Sequence, residues 1–286
     1  MGSVESASSN VWVLAPDGKH FLQRDITFAP ALFKIFDEIL VNAADNYRKD
    51  PSMNTLDVTI DSEKGSISVF NNGKGIPVVV HKDFGIYVPE LIFGHLLTGS
   101  NYNDNEKKVT GGRNGYGAKL ANIFSKKFVV EAADCQSRKK FRMEWTNNMS
   151  EHGPAEITEH QSRDFTRITF YPDFERFKMQ RLDEDIASLL KKRVFDMAGV
   201  LGRNVKVFLN GQQLPIKDFS QYVDMYFEND EPIKITDKES TTSNWEVIVS
   251  ISDSEFKQVS FVNSICTFRG GTHVAMLADQ IVERVQ

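Results

Sequence analysis

The chain has 286 residues, of which 41% are hydrophobic and 26% are charged, and its formal net charge is −5. These values are typical of a soluble globular protein with room for two folded units, and they exclude general disorder and a nucleic-acid-binding surface spread over the whole chain. No apolar run approaches the roughly 18 residues that a membrane span requires, and the N-terminus lacks a basic segment followed by an apolar one. We therefore expect an intracellular protein with no membrane partner.

Cysteines and basic runs indicate no further site. Only Cys135 and Cys266 are present, without neighbouring ligands at metal-binding spacing, so we expect two buried free thiols and neither a disulfide nor a zinc site. Three basic runs are short enough to be ordinary solvated faces, and they are Lys107-Lys108, Arg138-Lys139-Lys140 and Lys191-Lys192-Arg193.

The first part of the chain alternates strand and helix patterns. β-compatible residues on both sides of the turn Pro16-Asp17-Gly18 predict a hairpin. At residues 30–48 apolar side chains recur at i, i+4, i+7, i+8 and i+11, which predicts a helix with one buried face. Two stretches of period two, at 56–60 and 66–70, predict a second, antiparallel hairpin around Glu63-Lys64-Gly65.

The remaining pattern predicts a mixed α/β layer sandwich followed by a second unit. Helices are predicted at residues 88–97, near 116 and at 182–198, with a long polar loop at 99–112, and strands at 127–132, 140–145, 167–171 and 206–209. The second unit starts after the turn Asn210-Gly211 and contains strand-like stretches at 245–252 and 258–263 and a helix from His273 onward. The predicted domains are therefore residues 1–213 and 214–286.

A row of polar residues follows the second face of the helix predicted at 30–48. Its members are spaced i, i+4, i+7 and i+8, and they are Glu38, Asn42, Asp45 and Asn46. A solvated face is the simple explanation, but such faces favour Lys, Glu, Arg and Gln, whereas Asn lowers helix stability. A ligand-binding face explains the row better. Glu38 is suited to take a proton from a water that attacks a phosphate, and Asn42 offers a neutral oxygen to Mg²⁺.

Two glycine-containing segments add to this face. In Asn71-Asn72-Gly73-Lys74-Gly75-Ile76-Pro77 the glycines allow a close backbone approach to a planar ligand, and the Asn71 amide can pair with a nucleobase edge, although a simple turn is the alternative. Residues 111–119 place several glycines before a helix, where backbone N–H groups, Arg113 and Lys119 can bind phosphate. The Walker pattern and the catalytic segments of protein kinases are absent. The ordered set of three segments predicts a nucleotide site.

These segments resemble the ATPase region of eukaryotic type II DNA topoisomerases, within the fold family shared with gyrase, the heat-shock chaperone of ninety kilodaltons, sensor histidine kinases and mismatch-repair ATPases. The residues 96–102, 110–119, 261–265 and 270–273 carry the same resemblance, which covers essentially the whole chain. The resemblance implies an α+β fold, in which a two-layer α/β sandwich of the gyrase/Hsp90 type at 1–213 is followed by the first part of a transducer domain of ribosomal S5 domain 2-like fold at 214–286.

The resemblance also implies ATP and Mg²⁺ as cofactors and assigns roles to single residues. Glu38 would be the general base and Asn42 the Mg²⁺ ligand, Asn71 would contact adenine, with Thr166 helping through water, and Ser100 and Asn101 would face the ribose. Gly99 stands where these enzymes usually place a second Ser, and its backbone would contribute instead. The full implied cofactor-binding set is Asn42, Asn46, Asn71, Gly99, Ser100, Asn101, Gly112, Arg113, Asn114, Gly115, Tyr116, Gly117, Ala118, Lys119 and Thr166.

As a function, the resemblance implies the ATP-binding and ATP-hydrolysing region of a nuclear, strand-passing enzyme. DNA would be bound by the full-length enzyme, and ATP binding would close a homodimeric gate around a DNA segment. We expect the N-terminal arm, the lysine-bearing loop that reaches the γ-phosphate and the DNA-cleavage machinery to lie outside this chain. One alternative is a nucleotide-binding module with little or no turnover. Another is a chaperone or a protein kinase of the same fold, and the segments at 110–117 and 261–263 count against both of these.

Overall fold

The computed structural model describes residues 2–95, 116–227, 234–238, 245–252 and 255–285. The chain opens with an antiparallel hairpin of β1 (Ala7–Leu14) and β2 (Phe21–Phe28). Gly18 lies in the connecting turn with φ of +70°, a left-handed conformation that glycine adopts without strain. The predicted first hairpin is confirmed.

Within the described residues, nine strands form one sheet. Its further strands are β3 (Thr55–Asp61), β4 (Ser66–Asn71), β5 (Ser125–Asp134), β6 (Lys139–Thr146), β7 (Glu151–His152), β8 (Glu156–Glu159), β9 (Phe165–Pro172), β10 (Lys206–Leu209) and β11 (Gln212–Gln213). The order is β11, β10, β3, β4, β9, β5, β6, β7, and β8 pairs with β6 beside β7. All neighbours are antiparallel except β10 and β3, which are parallel. The predicted hairpin of β3 and β4 is confirmed.

The described helices are α1 (Pro30–Lys49), α2 (Val88–Gly94), α3 (Gly117–Ile123), α4 (Glu184–Leu201), α5 (Phe219–Asp224) and α6 (Thr272–Val285). Helices α1 to α4 contact the sheet, and α4 also contacts the first hairpin. The helix predicted at 88–97 ends earlier, at Gly94, and residues 96 and 97 lie outside the described residues, as does the predicted loop at 99–112. Among the described residues, no helix combines the length and the apolar character that a membrane span needs.

The helix α1 forms because its sequence supplies both a start and a buried face. Pro30 is the first helical residue, where its fixed φ and missing N–H cost nothing, and the preceding Ala29 is extended. Leu32, Phe36 and Leu40 are fully buried on one face. Two basic residues in the last turn stabilise the helix through a favourable interaction with the negative end of its dipole. The apolar face fixes the rotation of α1 and therefore the direction of its polar face.

The helix α4 is capped by Asp183, whose side chain accepts a hydrogen bond from the Ile186 N–H at 3.1 Å. Gly199 allows α5 to pack closely against α4, because a Cβ at this position would lie 2.5 Å from Cγ of Tyr222.

The prediction of a solvated face for Lys191-Lys192-Arg193 is wrong for two of the three residues. Lys192 is only 4% exposed and Arg193 only 1%, because α4 lies between the sheet, the first hairpin and α5.

The last part of the described chain contains β12 (Lys234–Lys238), which pairs with β13 (Glu246–Ser250), and β14 (Phe261–Val262), which pairs with β15 (Ile265–Cys266). The strand predicted at 258–263 is only two residues long, because Asn263 and Ser264 have positive φ and form a tight turn. The domain boundary between residues 213 and 214 stays a prediction.

The two cysteines are free, but neither is fully buried as predicted. Cys135 is exposed, because it follows the last residue of β5 in the turn to β6. Cys266 has an intermediate exposure, and burial raises the pKa of its thiol to about 12. The expectation of two buried thiols is therefore wrong for Cys135 and met only in part by Cys266.

Candidate functional site

The polar face of α1 contains the side chains that face away from the core. Glu38 has 27% of its side chain exposed, Asn42 is exposed, and Asn46 has an intermediate exposure. Asp45 differs from the others because it is buried, with 3% exposure. The open row on α1 therefore consists of Glu38, Asn42 and Asn46, in a helix whose other central residues are mostly buried.

Asn46 joins this row to the end of β4. Its Nδ2 donates to Oδ1 of Asn71 at 2.7 Å and to the Lys74 carbonyl at 3.1 Å. Asn71 continues the buried series Ile67 and Val69 on β4, and so its side chain lies on the helix side of the sheet. Gly73 is needed here because a Cβ would approach Nδ2 of Asn46 to 2.7 Å. The first two sequence segments therefore meet through direct hydrogen bonds.

Thr166 lies next to Asn71 on the neighbouring strand β9, where the two residues are register partners. Asn71 is 4% exposed, and Thr166 has an intermediate exposure. The two side chains lie on adjacent strands and face the same side of the sheet, which places them within reach of a single planar ligand. The structure thus brings together Asn46, Asn71 and Thr166.

The turn after β4 is fixed against the end of β5. A Cβ at Gly75 would lie 2.0 Å from the Ala133 carbonyl oxygen, so only glycine fits there. The Gly75 N–H donates to Oδ2 of Asp164 at 3.0 Å, and the Cys135 N–H donates to Oδ1 of the same carboxylate at 2.7 Å. This rigid turn keeps the Lys74 carbonyl in place for Asn46.

At the other end of the row, Glu38 lies directly against the start of α3. A Cβ at Gly117, the first residue of α3, would come within 2.2 Å of Oε2 of Glu38. Lys34, one turn before Glu38, places its Nζ 2.7 Å from Oε1 of Glu38. Glu38 is therefore held between a cation and the helix that follows the glycine-rich segment.

The other predicted residues of this segment differ in exposure. Tyr116 precedes α3 and has an intermediate exposure, whereas Ala118 is 7% exposed. Lys119 is 2% exposed, and burial lowers the pKa of its amine. The remaining predicted residues lie outside the described residues, and they are Gly99, Ser100, Asn101, Gly112, Arg113, Asn114 and Gly115.

The site therefore extends along α1 and has two ends. Glu38 and Asn46 are eight residues apart, which is about 12 Å along a helix axis. Amide groups lie at the Asn46 end, and a carboxylate beside the first residue of α3 lies at the Glu38 end. This arrangement suits an elongated ligand with a planar polar group at one end and an anionic group at the other.

A divalent cation at this site would need ligands from the nucleotide as well as from the protein. No group of three His, Cys, Asp or Glu side chains that could hold a metal is present in the described part of the chain. Asn42 is exposed between the two ends of the row. One amide oxygen fits Mg²⁺, which keeps several waters and takes phosphate oxygens as ligands.

Sequence reasoning missed three charged residues around Glu38, one that contacts it, one that precedes it and one that contacts this preceding residue. Lys34 contacts Glu38, Asp37 precedes it in the chain, and Arg193 donates to Oδ1 of Asp37 at 2.7 Å. The i, i+4 spacing of Lys34 and Glu38 was a usable signal. The other contact joins residues 156 positions apart, so no local pattern indicates it.

The chain matches two families of known proteins. The family described as histidine kinase-, DNA gyrase B-, and HSP90-like ATPase matches residues 28–176, and the family described as DNA gyrase B matches residues 218–286. DNA topoisomerase 2-alpha of Sus scrofa is 53% identical over 291 residues, which cover 100% of this chain and 19% of that protein. DNA topoisomerase 2 of Arabidopsis thaliana is 50% identical over 293 residues, which cover 100% of this chain and 20% of that protein.

Solved structures are similar over nearly the whole chain. The ATPase region of Saccharomyces cerevisiae topoisomerase II has a TM-score of 0.92 and 48% identity, and the match covers 99% of this chain and 75% of that one. The 43K ATPase domain of Thermus thermophilus gyrase B has a TM-score of 0.53 at 22% identity, covers 74% of this chain and 57% of that one, and shows the fold alone.

Fold and site together define an ATP-binding domain of mixed α/β structure. The predicted fold class is confirmed, including the gyrase-type architecture. The chain belongs to the histidine kinase, DNA gyrase B and HSP90-like ATPase family, and within it to the ATPase region of eukaryotic type II DNA topoisomerases. It spans about a fifth of the length of the curated relatives that it matches.

Proposed function

We propose that this chain binds ATP with Mg²⁺ along the polar face of α1 and hydrolyses it with Glu38 as general base. The observation that carries this proposal is the meeting of the three sequence segments on one helix face. Asn46 bonds Asn71 at one end, and Glu38 packs against Gly117 at the other. Family membership supports ATP as the ligand.

Adenine occupies the Asn71 end in this proposal. Asn71 and Thr166 supply polar groups beside each other at the ends of β4 and β9. The hydrogen bond from Asn46 fixes the Asn71 amide before the ligand arrives, so less side-chain entropy is lost on binding. The backbone of the turn at Gly73 and Gly75 lets the base approach closely.

The phosphates occupy the Glu38 end in this proposal, beside the start of α3 at Gly117. Bound Mg²⁺ would neutralise phosphate charge there, with Asn42 as its protein ligand. Glu38 takes the proton of the attacking water, and its contact with Lys34 at 2.7 Å fixes the direction of the carboxylate. The start of α3 at Gly117 limits where the Glu38 carboxylate can lie.

Calorimetric titration with a non-hydrolysable ATP analogue, with and without Mg²⁺, tests the site. We expect Mg²⁺ to lower the Kd of the analogue. In Asn42→Ala the Kd with Mg²⁺ should be higher by about tenfold or more, because a charge-assisted contact is lost. Asn10→Ala is the control, since the Asn10 amide bonds Asp25 on the first hairpin. Equal Mg²⁺ dependence in the Asn42→Ala variant and the unsubstituted chain would contradict the metal assignment.

For the longer protein we propose the activity that the names of the relatives describe. DNA topoisomerase 2 is the name of the matched proteins, and we infer that ATP-driven dimerisation of this region closes a gate around one DNA duplex during its passage through another, in the nucleus. We expect the longer protein to relax supercoiled DNA only with ATP, and to form a stable dimer contact in this region with the non-hydrolysable analogue. Agarose-gel topology assays and cross-linking measure both. ATP-independent relaxation would contradict the coupling.

A further inference from the structure

A cluster of buried charged and phenolic side chains lies between α1, α4 and α5, behind the polar face of α1. We call it the buried charge cluster, and its members are Asp37, Lys192, Arg193, Asp196 and Tyr222. Each of them is less than 5% exposed. Buried charges are costly unless paired, so the pairing inside this cluster determines where each side chain lies.

Arg193 connects α1 with the turn between β14 and β15. Its Nε donates to Oδ1 of Asp37 at 2.7 Å, and its Nη2 donates to the Ser264 carbonyl at 2.6 Å. Burial alone would lower the pKa of Arg193, but the carboxylates of Asp37 and Asp196 raise it above its ordinary value. The guanidinium is therefore a fixed cation with two hydrogen-bonded anchors, Asp37 and the Ser264 carbonyl, and a further ion pair with Asp196 at 3.6 Å.

The second anchor is a backbone carbonyl in a well-defined turn. Ser264 is 3% exposed and has φ of 67°. The Phe261 ring lies 5.8 Å from the guanidinium carbon of Arg193 and adds a cation–π contact. The docked turn thus helps to set the position of the Arg193 side chain, in addition to Asp37 on α1.

Lys34 lies between the two neighbouring carboxylates of α1. Its Nζ is 2.7 Å from Oε1 of Glu38 and 3.8 Å from Oδ2 of Asp37. As long as Arg193 neutralises Asp37, Lys34 has the shorter contact with Glu38. Without Arg193, the buried Asp37 carboxylate would lack its main cation and would attract Lys34 away from Glu38.

We propose that Arg193 is a positioning residue for ATP hydrolysis, which neutralises Asp37 so that Lys34 stays on Glu38. The turn at Ser264 holds Arg193 in this role, and so the segment after α5 influences the carboxylate of the general base without touching it. This inference rests on the proposed role of Glu38.

The test is a set of variants with opposite expected effects on turnover. Arg193→Met removes the cation, so we expect kcat to fall between about tenfold and a hundredfold, because small misplacements of reacting groups cost this much. The Kd of a non-hydrolysable ATP analogue should stay nearly unchanged. Adding Asp37→Asn removes the unpaired carboxylate, lets Lys34 return to Glu38 and restores most of kcat. Asp37→Asn alone keeps kcat near the unsubstituted value.

The control for stability alone is Tyr222→Phe. It removes a hydrogen bond of 2.7 Å to Oδ1 of Asp196 within the same cluster, and should lower the melting temperature but not kcat. Amide hydrogen exchange in the second turn of α1, measured without nucleotide, is the readout that does not depend on turnover. We expect faster exchange in Arg193→Met and normal exchange after addition of Asp37→Asn.

Two outcomes would overturn the proposal. Either Arg193→Met retains kcat and normal exchange in α1, or Asp37→Asn fails to restore them. Should Arg193→Met not fold, Arg193→Lys keeps a buried cation with fewer donors, so kcat should stay near the unsubstituted value in that variant, and a lowered kcat in Asp37→Asn would overturn the proposal. Glu38→Gln in the same assays separates the proposed function from the positioning role of Arg193. Turnover that survives in Glu38→Gln contradicts the proposed function. Loss of turnover in Glu38→Gln, together with normal turnover in Arg193→Met, contradicts only the positioning role.

Discussion

Glu38→Gln is expected to lower ATP turnover by about 10²- to 10⁴-fold, the usual contribution of a positioned general base. The amide has nearly the shape of the carboxylate, so packing against Gly117 is preserved. It cannot take a proton from water, and it weakens the contact with Lys34. Phosphate release under saturating ATP gives kcat, and calorimetry with a non-hydrolysable analogue gives the Kd, which we expect to stay nearly constant.

The control for this variant is Glu151→Gln, which removes the same charge at an exposed position on β7. It should leave kcat and Kd unchanged. Turnover that survives in Glu38→Gln would contradict the assignment of the general base. A Kd that weakens in proportion to the loss of kcat would mean that Glu38 acts in binding.

The sequence predicts α1 and its two faces because both depend on local spacing. Pro30 marks the start, the apolar series marks the buried side, and the polar row contains Asn residues that are poor helix formers. The segment after β4 is also recognisable, because Asn71 follows an alternating strand and Gly73 follows Asn71. Elements whose residues carry their own pattern are therefore predictable together with the site that they hold.

The elements that the sequence does not predict are those whose formation depends on distant partners. The two-residue strands β7, β11 and β15 have no period that could be read locally. The helix α5 is too short to show a period, and it packs on α4 because Gly199 leaves room for Tyr222.

The basic run on α4 shows the same limit for charges. A run such as Lys191-Lys192-Arg193 is usually solvated, yet Arg193 is 1% exposed because Asp37 and the Ser264 carbonyl pair with it. Both partners are far away in the chain. Asp196 was a usable local signal that the two basic residues are paired and buried. It lies four residues after Lys192 and three after Arg193, among apolar residues of α4.

Gly117→Ala is expected to separate folding stability from turnover. In a helix interior alanine is more favourable than glycine by about 0.5–1 kcal/mol, and at Gly117, the first residue of α3, propensity predicts a smaller gain in stability of the same sign. A Cβ at this position, however, would lie 2.2 Å from Oε2 of Glu38. Cδ and Cγ of Glu38 would also lie within 2.7 and 2.8 Å of this Cβ, so the whole Glu38 side chain beyond its own Cβ must change rotamer, and we expect it to swing away while the backbone stays in place. We expect an unchanged or slightly raised melting temperature, and kcat lowered by about a hundredfold because the base is misplaced.

Two controls locate the cause of this effect. In a Glu38→Ala background the clash is absent, so Gly117→Ala should raise the free energy of unfolding, by no more than the helix-interior value of about 0.5–1 kcal/mol. Gly153→Ala places a Cβ no closer than 4.0 Å to the Glu144 carbonyl oxygen, and it should leave kcat unchanged. Denaturant unfolding and phosphate release measure the two quantities. A strongly destabilised Gly117→Ala in both backgrounds would mean that the backbone of α3 gives way instead of Glu38, and an unchanged kcat would mean that the contact between Glu38 and α3 does not set the position of the base.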